Sequence, residues 1–377
     1  MPDNRYLDVH VLQTVPPSNL NRDDAGSPKQ AIYGGARRSR VSSQAWKRAT
    51  RTAFADRVPK ADLATRTKQI SGLLSTRLAA LPGVTVEDAT RISNALLKPL
   101  GIKPSKKNAE QTSYLLFFGR PQLDDITRTV QDRIGELAGL DDEALDKAAA
   151  EVDVKAILGT GHPVDVALFG RMVADIPNLN VDAACQVAHA ISTHPVEIEF
   201  DYYTAVDDEN TRENTGAGMI GTIEFNSATL YRYATLGLTQ LETNLGGTDA
   251  VPDAVELFVD SFVRSMPSGH GNSFAHRTLP SLVLVVARED QPVNLVSAFE
   301  EPVNSRTGVL DKSVSRLAAE LTSATQNWGL RPVRTLACYN STTDGLDSAF
   351  GASQPFPDLL ADLKRFTADW LAGEQTR

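Results

Sequence analysis

Two cysteines, Cys185 and Cys338, among 377 residues leave no disulfide framework and fit a reducing compartment. No apolar run exceeds the six residues of 282–287, far short of the roughly 18 that a membrane span requires, and the start MPDNRYLD lacks the basic-then-apolar plan of a signal peptide. The expectation is a cytoplasmic protein with no membrane partner. Also missing are GxxxxGK[ST], HExxH, CxxC and GxSxG, so NTPase, zincin and hydrolase chemistries lack their minimum residues. A surplus of cations is missing too: 47 acidic against 38 basic residues give a net charge of −9, which argues against indiscriminate coating of nucleic acid.

At roughly 150 residues per unit the length predicts two to three units, and 41% apolar with 23% charged residues is ordinary for a folded chain. The charge is unevenly spread. Lys29, Arg37, Arg38, Arg40, Lys47, Arg48 and Arg51 fall within 23 residues that hold no acid, whereas 124–153 holds ten carboxylates against three cations. A solvated charged face intersperses both signs. A loop and helix of one sign, with Ser42, Ser43 and Gln44 as added donors, is what phosphate oxygens require, so 29–51 points to a polynucleotide.

Periodicity orders the elements. Residues 6–12 alternate, with Leu7, Val9 and Val11 on one face and Asp8 and His10 on the other, as in a half-buried strand. Turn formers from Pro16 to Gly35 then predict a loop of about 30 residues, too long for a mere connector. A helix follows from an N-cap at Ser42 or Ser43, packing through Trp46, Ala49 and Ala53 and presenting Lys47 and Arg51. Helical stretches broken at Pro and Gly over about 60–176 predict an inserted helical lobe. Beyond it the pattern predicts a helix over 181–192, strands over 196–203, 222–225 and 231–238, a helix over 253–265 and a strand over 281–287. A helix over 311–328, a strand over 333–339 and a terminal helix over 356–371 complete it. This order fits an α+β, ferredoxin-like sheet better than a doubly wound one. The expected division is 1–59 and 181–377 for the sheet domain, with 60–180 as the insertion.

Three constellations could carry chemistry. Cys185 and His189, one helical turn apart, could supply two metal ligands, although Ala184, Val187 and Ala188 around them look like core. His270 and His276 in SGHGNSFAH could belong to an active-site lid or to a plain surface loop. Asp23 and Asp24 could hold a divalent metal that cuts a bound phosphodiester, or form loop salt bridges with Arg22. The simpler account is preferred each time, so no catalytic residue, metal or cofactor is expected.

LNRDDAGSPKQAIYGGARRSRVSSQAWKRATR, residues 20–51, with HVL at 10–12, strongly resembles the N-terminal signature of the CasC family, the backbone subunit of the type I-E CRISPR Cascade complex. The family pattern is HVL, LNRDD and GGxRRxRxSSQxxKRAxR. FDYYTAVDDENTRENTGAGMIGTIEF, residues 200–225, resembles the family's projecting thumb and its return strand. The resemblance implies an RRM-like palm with an inserted helical fingers lobe and a projecting β-hairpin thumb at about 201–220. It also implies copies stacked head to tail along one guide RNA.

The match places guide contacts at Lys29, Ser42, Gln44, Lys47, Arg48 and Arg51, and Arg37, Arg38 and Arg40 complete the expected RNA-binding set on that stretch. Tyr202, Tyr203 and Ile220 fall near the place where the guide is kinked and a base displaced. The acidic tip around 207–214 is expected to reach toward the next subunit. ALFGRM, with Phe169 and Met172, resembles a fingers segment that approaches the RNA. Of the basic residues the family carries after its penultimate strand, this chain offers Arg306. The implied partners are crRNA, target DNA paired with the guide, further copies of the chain and other Cascade subunits, in antiviral defence. Two other classes fit the same residues: a type III-like backbone subunit cleaving target RNA with a metal at Asp23 or Asp24, and a scaffold whose basic loop serves an acidic protein.

Overall fold

The computed structural model describes residues 4–373 except 103, 106–107, 113–114, 174–175, 206–218 and 342. The chain forms two units, one of residues 1–54, 186–237 and 255–377, the other of 55–185 and 238–254.

The first unit is an α+β, RRM-like palm. Its strands are β1 (Tyr6–Ser18), β2 (Gln30–Tyr33), β3 (Ala36–Val41), β4 (Ala190–Ser192), β5 (Glu199–Ala205), β6 (Met219–Gly237), β7 (Leu282–Arg288) and β8 (Arg334–Tyr339). They pair antiparallel in the order β8-β7-β1-β6-β4-β3-β2, and β5 pairs with β6. Its helices are α1 (Ser43–Ala53), residues 255–264 of α2 (Val251–Arg264), α3 (Leu310–Trp328) and α4 (Phe356–Leu371).

Register sorts the core onto two faces. Leu12, opposite Leu282 and Tyr231, joins Leu284, Val286 and the α3 residues Val314, Leu317 and Leu321 in one cluster. Val11 pairs with Arg232, which meets Trp46 of α1 and Phe262 of α2 on the other face. With helices over both faces β1 is a central, fully covered strand, not a half-buried one. Asp8 and His10 are therefore buried: Asp8 accepts from Arg288 Nε (3.0 Å), Tyr233 OH (2.8 Å) and the Val293 N–H (2.9 Å), while His10 Nδ1 lies 2.9 Å from Tyr231 OH and its Nε2 has no partner among the described residues.

The long loop predicted after β1 is largely structured. β1 runs through Pro16 and Pro17 to Ser18, with its register shifting between Val15 and Ser18, the bulge position at which a strand tolerates proline. Residues 30–41 form a hairpin turning at Gly34 and Gly35, whose φ of +58° and +73° suits a two-residue turn. The helix predicted over 181–192 is instead two short strands, Cys185–Val187 and Ala190–Ser192. Alanine spacing there imitates a helix, but β4 bonds to both β6 and β3, and that pairing outweighs local propensity. Strands predicted over 222–225 and 231–238 are one strand of 19 residues.

The second unit is helical, built on Ile70–Ala79, Val86–Leu97, Arg120–Val130 and Asp142–Ala150 around a core that includes Leu74, Ile92, Leu96, Leu123 and Ile126. It also holds a strand pair the sequence pattern did not suggest, Ala64–Thr67 with Leu116–Gly119. Its acids are capping and pairing groups. Asp141 and Asp153 cap helices through the N–H groups of Ala144 and Ala156, and Asp124, Asp125, Asp142 and Asp146 pair with Arg77, Arg128, Arg91 and Lys98. Buried Arg171 donates to the carbonyls of Leu179, Phe117 and Leu158 and holds this unit's irregular segments together. No helix of the described residues is long and apolar enough to cross a membrane.

Candidate nucleic-acid interface

α1 begins at Ser42, whose hydroxyl accepts from the Ala45 N–H at 3.3 Å. Its packed side holds Trp46, as expected, together with Thr50, both fully buried, while Ala49 and Ala53 are half-buried. Arg232 lays its guanidinium 3.7 Å from the centroid of the Trp46 ring, Phe262 meets that ring edge-on, and Arg232 is fixed in turn by Gln13 and the Phe262 carbonyl. This anchor sets the rotation of the helix. Gln44 and Arg48 are exposed as a result, with Lys47 and Arg51 half-buried beside them. Among the described residues no carboxylate lies within ion-pair reach of Lys29, Arg37, Arg40, Lys47 or Arg48.

The LNRDD segment builds the loop. Asn19 is fully buried and donates to the carbonyls of Gly26 and Glu224, both at 2.9 Å, which ties the loop to β6. Asn21 Oδ1 accepts from the Ser42 N–H at 2.9 Å and so holds the start of α1. Asp23 Oδ1 accepts from the N–H groups of Ala25 (2.9 Å) and Ser27 (3.0 Å), closing a turn. Arg22 reaches His270 Nε2 at 3.0 Å, and a Cβ on Gly269 would lie 2.3 Å from the Leu20 carbonyl. SGHGNSFAH is therefore a surface segment packed against this loop at Gly269 and His270, and its His276 is buried with Nε2 3.2 Å from the Pro267 carbonyl. Among the described residues no three His, Cys, Asp or Glu gather as a metal site. Cys185 is buried while His189 is exposed, so the helical-turn pairing expected of them does not exist.

The predicted cations separate. On β3 successive side chains face opposite ways, and Arg37 is exposed beside Gln30 while Arg38 is fully buried. Arg38 donates to the carbonyls of Ser192 (2.8 Å), Phe299 (2.8 Å) and Glu300 (3.2 Å), so it pins the palm and leaves the RNA-binding set. Ser42 is buried too, its hydroxyl serving the cap. Arg40 donates from Nε to the Gln30 carbonyl at 3.2 Å and points a terminal N–H at His189 Nδ1, 3.4 Å away. The same Nδ1 accepts from the Ser43 N–H at 3.2 Å. Partial burial, then the charges of Arg40 and Lys29, lower the His189 pKa. Arg306 is exposed on the segment before α3, where a groove of about 530 Å³ runs between Thr14, Ser227 and Thr229 on one side and 307–312 on the other. Lys312, a cation the sequence analysis passed over, lines it and donates to the Asn304 carbonyl at 3.1 Å.

β5 and β6 pair from Glu199 with Phe225 to Ala205 with Met219, and the tip expected at 207–214 lies outside the described residues. Tyr202 and Tyr203 point to opposite faces. Tyr203 covers Gly221, where a Cβ would come within 2.3 Å of its ring, whereas Tyr202 is 63% exposed. Sharing its face is Phe200, 66% exposed, which the sequence analysis did not single out although FDYY alternates so as to place it there. Ile220 pairs with Thr204 through its backbone, and its side chain lies outside the described residues. In the helical unit Met172 is 86% exposed and Phe169 half-buried.

A family profile described as CT1975-like protein matches residues 7–361. Among solved structures, a chain of a "CRISPR RNA-guided surveillance complex, pre-nicking" superposes with a TM-score of 0.83 and 31% identity, covering 96% of this chain and 100% of that one. A chain of a "CRISPR RNA-guided surveillance complex" gives 0.71 and 27%, covering 96% and 99%. No curated protein matches. The palm, the pattern of its N-terminal loop and a profile spanning nearly the whole chain agree, and the protein belongs to the CT1975-like family as a CasC-type subunit.

Proposed function

We propose that the protein is a non-catalytic, crRNA-binding backbone subunit of a type I-E Cascade complex in the cytoplasm. Copies of it polymerise along the guide spacer, contact other Cascade subunits and present the guide to target DNA. The observation that carries this is the group of cations on α1 and its approach, Lys29, Arg40, Lys47 and Arg48, which no described carboxylate pairs, in a chain whose net charge is −9. An extended phosphate backbone is the anion that such a row takes up. Contacts of this kind hold RNA without reading it, and the π-faces of Phe200 and Tyr202 accept any base, so specificity is left to Watson–Crick pairing. The engagement of Asp23 Oδ1 by two backbone amides favours a turn-forming acid over a nuclease ligand.

Expressed with a CRISPR array and the other subunits, the protein should copurify with crRNA. An absorbance ratio of bare protein would favour the scaffold. Mg²⁺- or Mn²⁺-dependent cleavage of a complementary RNA, lost in Asp23→Ala, would instead establish the type III-like activity.

A further inference from the structure

The head of α1 offers more than charge. His189 stands in the turn between Cys185–Val187 and β4, and its Nδ1 faces two donors, the Ser43 N–H at 3.2 Å and an Arg40 guanidinium N–H at 3.4 Å. Both need a lone pair there, so the ring proton belongs on Nε2. The ring is exposed, and no described residue bonds to Nε2. The charged groups acting on it are Arg40 and Lys29, both cations, and with partial burial they disfavour the imidazolium. A neutral imidazole is thus held with its one N–H directed outward, between cations from β3 and from the loop before β2.

We propose that His189 is a phosphate-binding residue for the guide RNA, donating from Nε2 as a neutral group to a non-bridging oxygen whose charge Lys29 and Arg40 balance. This rests on the RNA-binding function proposed above. It deepens that function by adding a directed donor to a row of point charges, and the two kinds of contact differ in a measurable way. A cation that engages a phosphate of a single strand releases counterions and steepens the dependence of log affinity on log salt by roughly 0.7, whereas a neutral donor adds affinity and leaves the slope alone.

The experiment measures binding of full-length protein to a fluorescein-labelled oligouridine across a salt series at pH 7. His189→Asn keeps an acceptor near the Ser43 N–H but is too short to reach outward. It should bind about ten-fold more weakly with an unchanged slope, while Lys29→Ala weakens binding and shallows the slope by roughly 0.7. His189→Gln, whose amide nitrogen can take the place of Nε2, should recover most of the loss. Full affinity in His189→Asn would show that the ring only caps the helix, and a shallower slope would show that it acts as a cation; either overturns the proposal. The wild-type protein gives an independent readout: imidazole ¹⁵N shifts should report the Nε2–H tautomer before RNA is added and a perturbed Nε2 afterwards, and an imidazolium or an Nδ1–H tautomer at pH 7 refutes it. If the parent protein and Lys47→Ala with Arg51→Ala bind the oligouridine equally poorly, the RNA-binding function itself fails. If that pair loses affinity while His189→Asn keeps it, only the role of His189 falls.

Discussion

Arg37 and Arg38 are adjacent and chemically identical, yet one faces solvent and the other is sealed beneath three carbonyls. Counting cations cannot separate them, because which one turns inward depends on the pleat of β3 and its pairing with a strand 150 residues away. Gly34 and Gly35 differ in the same hidden way. Both carry positive φ, but a Cβ on Gly34 would lie 1.6 Å from the Glu300 carbonyl oxygen while one on Gly35 meets nothing within 4 Å. Gly35→Ala should cost about 1 kcal/mol of stability and Gly34→Ala at least about 3, measured by urea unfolding. His10 supplies a pH dependence. Burial first, then the Arg288 charge, lowers its pKa from 6.5 to about 3. The folded chain keeps the ring neutral where the unfolded chain takes up a proton. Stability present at pH 7 is therefore lost as pH falls from 6.5 toward 3, by about 2 kcal/mol at pH 5. His162, lowered to about 4, acts in the same direction. Denaturation midpoints at pH 7 and pH 5 should differ less in His10→Gln than in the parent protein.

Among the elements, α1 was the most legible: its cap, its length and its cations all follow from SSQAWKRATR. Its buried face was legible at Trp46 but not at Thr50, which is fully buried where Ala49 and Ala53 are not, and the platform under Trp46, Arg232, comes from a strand that local pattern cannot connect to the helix. Trp46→Ala should cost about 3–5 kcal/mol by leaving a cavity and uncovering a buried guanidinium. β1 was misjudged for a related reason. Polar residues at alternate positions normally mark a wet face, and Asp8 and His10 escape that rule only because Arg288, Tyr231 and Tyr233 arrive from neighbouring strands. For the cationic side of α1, about three engaged phosphates per subunit would give a salt slope of roughly −2. Replacing Lys47 and Arg51 together by Ala should bring it to roughly −0.7 with the thermal midpoint little changed. An unchanged slope would remove both residues from the groove.

For the molecule as a whole, the order of strands and helices conveyed the palm, and the division into units was less visible. Residues 238–254 join the helical unit although they follow directly on the longest palm strand. Nothing in their composition announces this, since helices of either unit bury the same kinds of side chain. The hairpin expected as a thumb is described only where β5 pairs with β6, and its exposed face, Phe200 with Tyr202, emerges only from the register. Phe200→Ala with Tyr202→Ala should leave the unfolding transition in place. Affinity for RNA should fall by about 1–3 kcal/mol for each base that loses its platform, multiplied along an assembly, as read from affinity and from periodic base reactivity of the bound guide.

β6 gives the thumb and the palm one continuous backbone. Over 228–237 its residues are hydrogen-bonded to β1, with Leu230 and Tyr231 bonded to β4 as well, and over 219–225 they pair with β5, with one side-chain bond from Asn19 to the Glu224 carbonyl. Amide protons along this one strand should accordingly exchange with deuterium on a graded clock, slowest near Leu230 and Tyr231 and quickest toward Met219. Such a strand can loosen at one end while the other stays shut, so motion at its outer end need never open the centre of the sheet.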